Sequence, residues 1–356
     1  MAEALISPIW GAAPYIFSTG LLNKNSNGNN ILAESDSGED DGDDDPSWWD
    51  EESVLMAVDL GFDEGGDDDK LLVSVQVGIT EPAKRLKRQW RARLRDANNL
   101  EYFHSKDFGN RTGGIFSKAG LFGKDRQVLL NDLAGLVHNH LLFGATTRIK
   151  VSEYNRLTTQ DFRSQLGSAY SFGIDMCLCL AYAIVTEMGV KPEFNILIER
   201  GHRNSEQAAQ IIAEVQKIPQ GMIAAHPDKL IPIKILTAGL GDKKDHPILQ
   251  SADMVAYSDW QGLSNCDPAI WDALHRPGVR YKTYRLHGNE ELIREFVSEG
   301  PNPYIRKQRK RAKAYVAEQG VPKFRPDDAE TDEHAAQRVK SQTGRGEGGE
   351  ATKAEG

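Results

Sequence analysis

The nine-residue run Leu71–Ile79, LLVSVQVGI, constrains this chain most. It is rich in β-branched residues and free of proline, which suits a pleated, buried strand. Just before it, Val54–Phe62 is a second apolar run, closed by Asp63-Glu64-Gly65-Gly66-Asp67. Two strand-like runs joined by a short polar turn predict a hairpin, so the fold has to be organised around a sheet.

The remaining order of elements follows from that start. Pro82 opens a basic helix reaching about Asp96, YFHSKDF (Tyr102–Phe108) reads as a loop, and Arg126–Leu142 as a helix. Thr146–Tyr154 alternates apolar and polar residues and predicts a third strand. Asp161 is expected to cap one long buried helix to about Met188, and Phe194–Ile198 forms a fourth strand ending in Glu199. Ser205–Lys217 is amphipathic, Leu230–Leu236 reads as a fifth strand, and His246 to about Gly262 as a last helix. Three strands, then helix, strand, helix, strand, helix is the order of an RNase H-like α/β fold, a mixed sheet with flanking helices. Here an insertion lies between strands 2 and 3.

Charge separates this region from its flanks. Of the 356 residues, 52 are acidic and 43 basic, a net charge of −9. Residues 1–70 hold 18 acids and 2 bases, so the remainder is mildly basic and an acidic whole-chain balance does not exclude a nucleic-acid partner. Residues 1–52 and 326–356 are polar and charge-rich and are expected to be disordered. Between them the reading is an RNase H-like domain over 53–265. A helical extension over 266–325 follows, ending near the basic stretch Arg306–Lys313.

The opening 30 residues lack a basic segment followed by an apolar one, and the apolar stretch Phe172–Met188 contains Asp175 and Glu187. That stretch reads as a buried helix rather than a bilayer span, so a cytoplasmic protein without a membrane partner is expected. Three cysteines, Cys177, Cys179 and Cys266, are too few for a disulfide framework and read as buried thiols.

Several carboxylates fall where metal chemistry would need them. Asp63 and Glu64 close the first strand, Glu199 ends the fourth, and Asp253 sits in the last helix. Phosphodiester hydrolysis by divalent ions draws carboxylate oxygens from several elements onto one point, and Mg²⁺ or Mn²⁺ suits such donors. On the last helix Gln250, Asp253 and Tyr257 share a face, and Ala252 and Ala256 leave room for the Asp253 carboxylate. A rival register exists: Asp59 shares the strand face of Asp63, and Asp36-Ser37-Gly38 imitates the motif within the acidic tail. Asp63 is preferred because one strand leads into it and another follows directly. The nearby His104 suits proton transfer at neutral pH, or equally a structural hydrogen bond, and Asp107 could orient it.

Four segments resemble the domain-of-unknown-function 3800 family. FDEGGDD (Phe62–Asp68) with LLVSVQVG is similar to its D-E-S-G strand and the strand that follows. YFHSKDF is similar to its H-x-x-D-F segment, FNILIERG (Phe194–Gly201) to its apolar strand ending in an acid, and HPILQSADMVAY (His246–Tyr257) to its Q-x-A-D helix. The resemblance spans residues 54–263 and implies an RNase H-like, metal-dependent nuclease. It implies Asp63, Glu199 and Asp253 as metal carboxylates, with Glu64, His104 and Asp107 as further active-site residues. Two departures stand out: Gly65 replaces the family's serine, and Arg200-Gly201-His202 follows Glu199.

A substrate surface is suggested by the helix after Pro82. It carries Lys84, Arg85, Lys87, Arg88, Arg91, Arg93 and Arg95, seven cations in twelve residues. Such a helix can neutralise phosphates, and Lys84, Arg85, Lys87, Arg88 and Arg91 are the expected contacts. Trp90, spaced with Leu86 and Leu94, reads as core. The alternative to a nuclease is a catalytically inactive module of the same fold that binds nucleic acid or a protein partner.

Overall fold

The computed structural model describes residues 54–110, 113–216, 233–264, 268–277, 279 and 281–299. The two tails, the basic stretch Arg306–Lys313, Cys266 and the start of the expected fifth strand lie outside the described residues.

The hairpin forms as its sequence requires. β1 (Val54–Gly66) pairs antiparallel with β2 (Lys70–Ile79), placing Asp63 opposite Ser74. β2 is buried from Leu71 to Ile79, as expected for a strand covered on both faces. β1 runs four residues further than its apolar core suggests, so Asp63 and Glu64 are strand residues rather than turn residues. The turn moves to Asp67–Asp69, where Asp67 Oδ1 accepts from the amides of Asp69 (3.0 Å) and Lys70 (2.8 Å). An Asp side chain that accepts from backbone amides just ahead of it closes its own turn.

Between β2 and β3 the expected insertion contains four helices: α1 (Thr80–Asp96), α2 (Ser105–Gly109), α3 (Gly114–Lys118) and α4 (Gly123–His140). The segment read as a loop thus contains the short α2. β3 (Phe143–Lys150) ends earlier than predicted and gives way to α5 (Val151–Leu157). The backbone oxygen of Asp69 accepts from Val151 N at 2.7 Å and Asp69 Oδ1 from Ser152 N at 2.9 Å, so a neighbouring turn satisfies the new helix's first donors. The long helix predicted from Asp161 is two: α6 (Gln160–Leu166), capped by Thr159, and α7 (Ala169–Glu187). Gly167, at φ +85°, breaks them.

β4 (Val190–Glu199), α8 (Ser205–Gln216), β5 (Lys234–Gly241) and α9 (Pro247–Ser264) complete the predicted order. Beyond them the expected helical extension contains α10 (Ala269–Leu274), a further strand β6 (Thr283–Gly288) and α11 (Glu290–Glu299). The strand order is β5-β4-β1-β2-β3-β6. β4 runs parallel to both β1 and β5, and β6 is parallel to β3, so the sheet is mixed and β2 is its reversed strand.

Helices cover both faces. α9 lies over β1 and β2, and outside it α1, α4 and α10 build a core from Leu86, Trp90, Leu94, Leu129, Leu133, Val255 and Tyr281. On the other face α7 packs on β2, β3 and β4. α7 is long and apolar enough to cross a membrane, yet 94% of its apolar window is buried inside the fold, so it packs here as a core helix. Close approach of α9 to the sheet depends on Gly61, where an added Cβ would lie 2.9 Å from the Ile248 side chain.

Candidate metal centre

Because β1, β4 and β5 are parallel, their carboxyl ends meet at one edge of the sheet, where side chains of several strands converge. Asp63, near the end of β1, shares the α9-facing side with Gly61 and Gly65 by the two-residue strand period. It is 1% exposed. Glu199 is the last residue of β4, and one carboxylate oxygen from each of Asp63, Glu64 and Glu199 falls within 4.8 Å of the others. Gly201 makes room for this, since a Cβ there would lie 2.6 Å from Glu199 Oε2.

Lys243 enters from the loop after β5. Its Nζ lies 2.9 Å from Asp63 Oδ2 and 3.2 Å from Asp253 Oδ1, and its side chain is largely buried. Asp253 Oδ2 accepts from Ser105 N at 2.6 Å, which ties the start of α2 to α9. Gln250, one turn earlier on α9, locks the surroundings. Its Oε1 accepts from Trp90 Nε1 (2.8 Å) and Phe103 N (2.7 Å), while its Nε2 donates to Lys243 O (2.8 Å). A single amide therefore joins α1, the segment before α2 and the lysine loop.

Four carboxylates around one ammonium perturb one another. Burial pushes the Asp63 carboxyl well up; Lys243 opposes this, while Asp253, Glu64 and Glu199 add to it. Glu64 is pushed up to about 7, mainly by burial and then by Glu199. Glu199 is raised by burial, with Lys243 and His104 acting against the rise. Burial works against the Lys243 ammonium, but Asp253 and Asp63 outweigh it and its pKa rises. Glu64 Oε2 is buried with no hydrogen-bond partner. Beside these acids Tyr170, 1% exposed, places its hydroxyl near Ser205, and its ring stacks on His202 at 4.2 Å.

His104 Nδ1 lies 3.0 Å from Asp107 Oδ2. An ionised carboxylate only accepts, so in the neutral ring Nδ1 carries the proton and Nε2 the lone pair. His104 is close enough to Glu199 for its charge to act on that carboxylate.

The structure brings Asp63, Glu64, Glu199 and Asp253 together, with the His104–Asp107 pair beside them. It redistributes their expected roles. Glu64 joins Asp63 and Glu199 in the tight group, whereas Asp253 connects through Lys243. The rival Asp59 is used elsewhere: its Oδ1 accepts from Thr80 Oγ1 (2.7 Å) and Asn195 Nδ2 (2.9 Å). Lys243 and Tyr170 were not legible as site residues. Lys243 sits in Asp-Lys-Lys-Asp, which in sequence resembles any solvated turn, and Tyr170 lies in an apolar helix.

On α1, Trp90 is fully buried, as expected of core. Arg91 Nη2 donates to Asp245 O at 2.9 Å, and Lys87 and Arg91 both act on His246, so these two cations flank the loop carrying Lys243. Lys84 pairs with Glu81, Arg88 is exposed, and Arg85 is half-buried with its charge felt at His140. Two surface hollows, one between α4 and α10 and one between α1 and α4, include none of the clustered acids. Compared with protein-family models, curated proteins and solved structures, the chain shows no significant match.

Proposed function

We propose that the chain is a divalent-metal-dependent phosphodiester hydrolase of RNase H-like type, acting on nucleic acid with Mg²⁺ or Mn²⁺. The observation that carries this reading is the convergence of Asp63, Glu64 and Glu199 at the carboxyl edge of the sheet. The residues fit such an ion. They are hard oxygen donors, they hold excess negative charge, and Glu64 Oε2 is buried without a partner. The element order, with its leading hairpin and central reversed strand, and the four motifs resembling the domain-of-unknown-function 3800 family support the same reading. The two buried thiols, Cys177 and Cys179, suit a reducing cytoplasm.

When bound, the cation supplies Lewis acidity at the phosphodiester and neutralises developing charge. Asp63, Glu64 and Glu199 would hold it. Hydrolysis joins a water oxygen to phosphorus, breaks one P–O ester bond and delivers a proton to the departing oxygen. His104, oriented by Asp107, presents Nε2 for that proton traffic. Lys243, fixed through Gln250, adds positive charge beside the carboxylates. Lys87 and Arg91 at the rim would meet the phosphate backbone, with Lys84, Arg85 and Arg88 extending the same helix. Nothing in this set reads base edges, so sequence preference is expected to be modest.

The test is cleavage of labelled single- and double-stranded DNA and RNA with Mn²⁺, Mg²⁺ or EDTA, for the parent, Asp63→Asn and Glu199→Gln. Metal-dependent cleavage lost in both variants is expected; a folded, Mn²⁺-saturated parent that cuts none of the four substrates removes the reading. One observation favours the second reading, an inactive module binding nucleic acid or a protein partner: Lys243 already gives Asp63 and Asp253 a counter-ion. Under that reading nucleic acid is bound but not cut, and Asp63→Asn leaves binding unchanged.

A further inference from the structure

Building on the metal-dependent reading above, we infer that Lys243 stands in for a second cation, so that the chain binds one divalent ion, on Asp63, Glu64 and Glu199, and not two. Two-ion phosphodiester centres place their ions roughly 3.5–4 Å apart. In this chain the second position is already taken. Asp253, the acid that would hold a second ion, has Oδ1 on Lys243 Nζ and Oδ2 on Ser105 N. The ammonium lies between Asp253 and Asp63, at 3.2 and 2.9 Å. Its loop is pinned, because Lys243 O accepts from Gln250 Nε2 and Arg91 holds Asp245 O.

The other half of the cluster is different. Glu64 Oε2 has neither a hydrogen bond nor a cation, whereas Asp63 Oδ2, which also lacks a hydrogen bond, lies 2.9 Å from the Lys243 ammonium. A buried carboxylate oxygen without either partner, beside two more carboxylates, points to a ligand there. Charge agrees with this division. With all four carboxyls ionised, as metal binding requires, four carboxylates and one ammonium leave an excess of three negative charges, which one divalent ion reduces to one. A second ion would have to expel the ammonium from two ion pairs.

The experiment is a Mn²⁺ titration of the metal-stripped full chain, counting bound ions by the loss of the free-ion paramagnetic resonance signal. Wild type is expected to bind one ion and Lys243→Met two. Asp253→Asn is expected to keep one ion with affinity changed by less than about tenfold, whereas Glu64→Gln weakens binding by about 10–100-fold. Two ions on wild type, or the loss of an ion in Asp253→Asn, would overturn the inference even if Lys243→Met fails to fold. A folded Lys243→Met that still binds one ion would overturn it too. No Mn²⁺ on wild type would instead remove the metal-dependent reading itself.

Discussion

Asp253 and Asp259 lie on the same helix and are both buried, yet their surroundings are opposite in sign. Asp259 is one carboxylate among cations. Its Oδ2 accepts from Thr146 Oγ1 (2.9 Å) and Arg148 Nε (3.0 Å), and its Oδ1 pairs with Arg148 Nη2 and Arg285 Nε, both at 2.5 Å. Both of its oxygens are engaged and the local charge is positive. Asp253 belongs to four carboxylates sharing a single ammonium, with Glu64 Oε2 left unpartnered. A saturated buried ion cluster holds structure together; an undersaturated one of the same residue types is poised for something the chain does not itself supply. Sheet geometry accounts for the placement. The Asp259 cluster sits on β3 and β6, away from the edge where β1, β4 and β5 end together.

The largest effect expected from this contrast is at the saturated cluster. Asp259→Ala leaves Arg148 and Arg285 without their shared acid and should cost about 3–5 kcal/mol of stability, read by urea unfolding. Asp63→Asn, which relieves crowding among like charges, should change the metal-free stability by about 1 kcal/mol or less. A loss at Asp63 as large as that at Asp259 would break the comparison.

Added metal should separate the clusters next. At a hundredfold excess over its dissociation constant, Mn²⁺ should stabilise the parent by about 2.7 kcal/mol, reversed by EDTA. Asp63→Asn should lose this gain. Conservative changes at Arg285 should retain it, and its loss there would mean that the two clusters are not independent.

How much of this was visible beforehand follows from how local each signal is. The hairpin and β4 announce themselves through largely apolar runs, and Asp63 and Glu199 are found by where those runs end. Gln250 and Asp253 share a face because helical spacing demands it. β6 is different: TYRLHG is short and half polar, and its partner β3 lies far away in sequence, so only the folded sheet reveals it. The α5 start depends on Asp69, a residue of another turn. Lys243 is hidden for the same reason, since its meaning comes from two acids on other elements.

Asp175 offers a third, intermediate case. It is buried in α7 with one carboxyl oxygen unpartnered, and burial raises its pKa well above the usual value. The folded chain therefore holds this proton to higher pH than the unfolded chain does. The associated stability is fully present below the unfolded pKa and is lost as pH rises through the folded one. Asp175→Asn removes the titration, so the variant should gain roughly 1–3 kcal/mol over the parent at pH 7–8, with the gain shrinking toward pH 4. If the gain were equally large at pH 4, the cause would lie in packing and not in the buried acid.

The smallest effect, at Gly65, is read against a second glycine, Gly144. Gly144, on β3 near the saturated cluster, has the Tyr281 hydroxyl 2.4 Å from where a Cβ would sit, and that hydroxyl donates to Gln76 Oε1 at 3.0 Å. Gly144→Ala should therefore cost about 1–3 kcal/mol through overpacking. Gly65, beside the acid site, would place its Cβ 3.6 Å from the Ala256 Cβ, an ordinary contact. Gly65→Ser should stay within about 0.5 kcal/mol of the parent in urea unfolding. Its Mn²⁺ affinity should be unchanged, because the atoms nearest the added Cβ belong to Ala256 and not to a carboxylate. Equal destabilisation at both glycines would show that the acid site is packed as tightly as the arginine cluster, and would remove the distinction between a closed cluster and an open one.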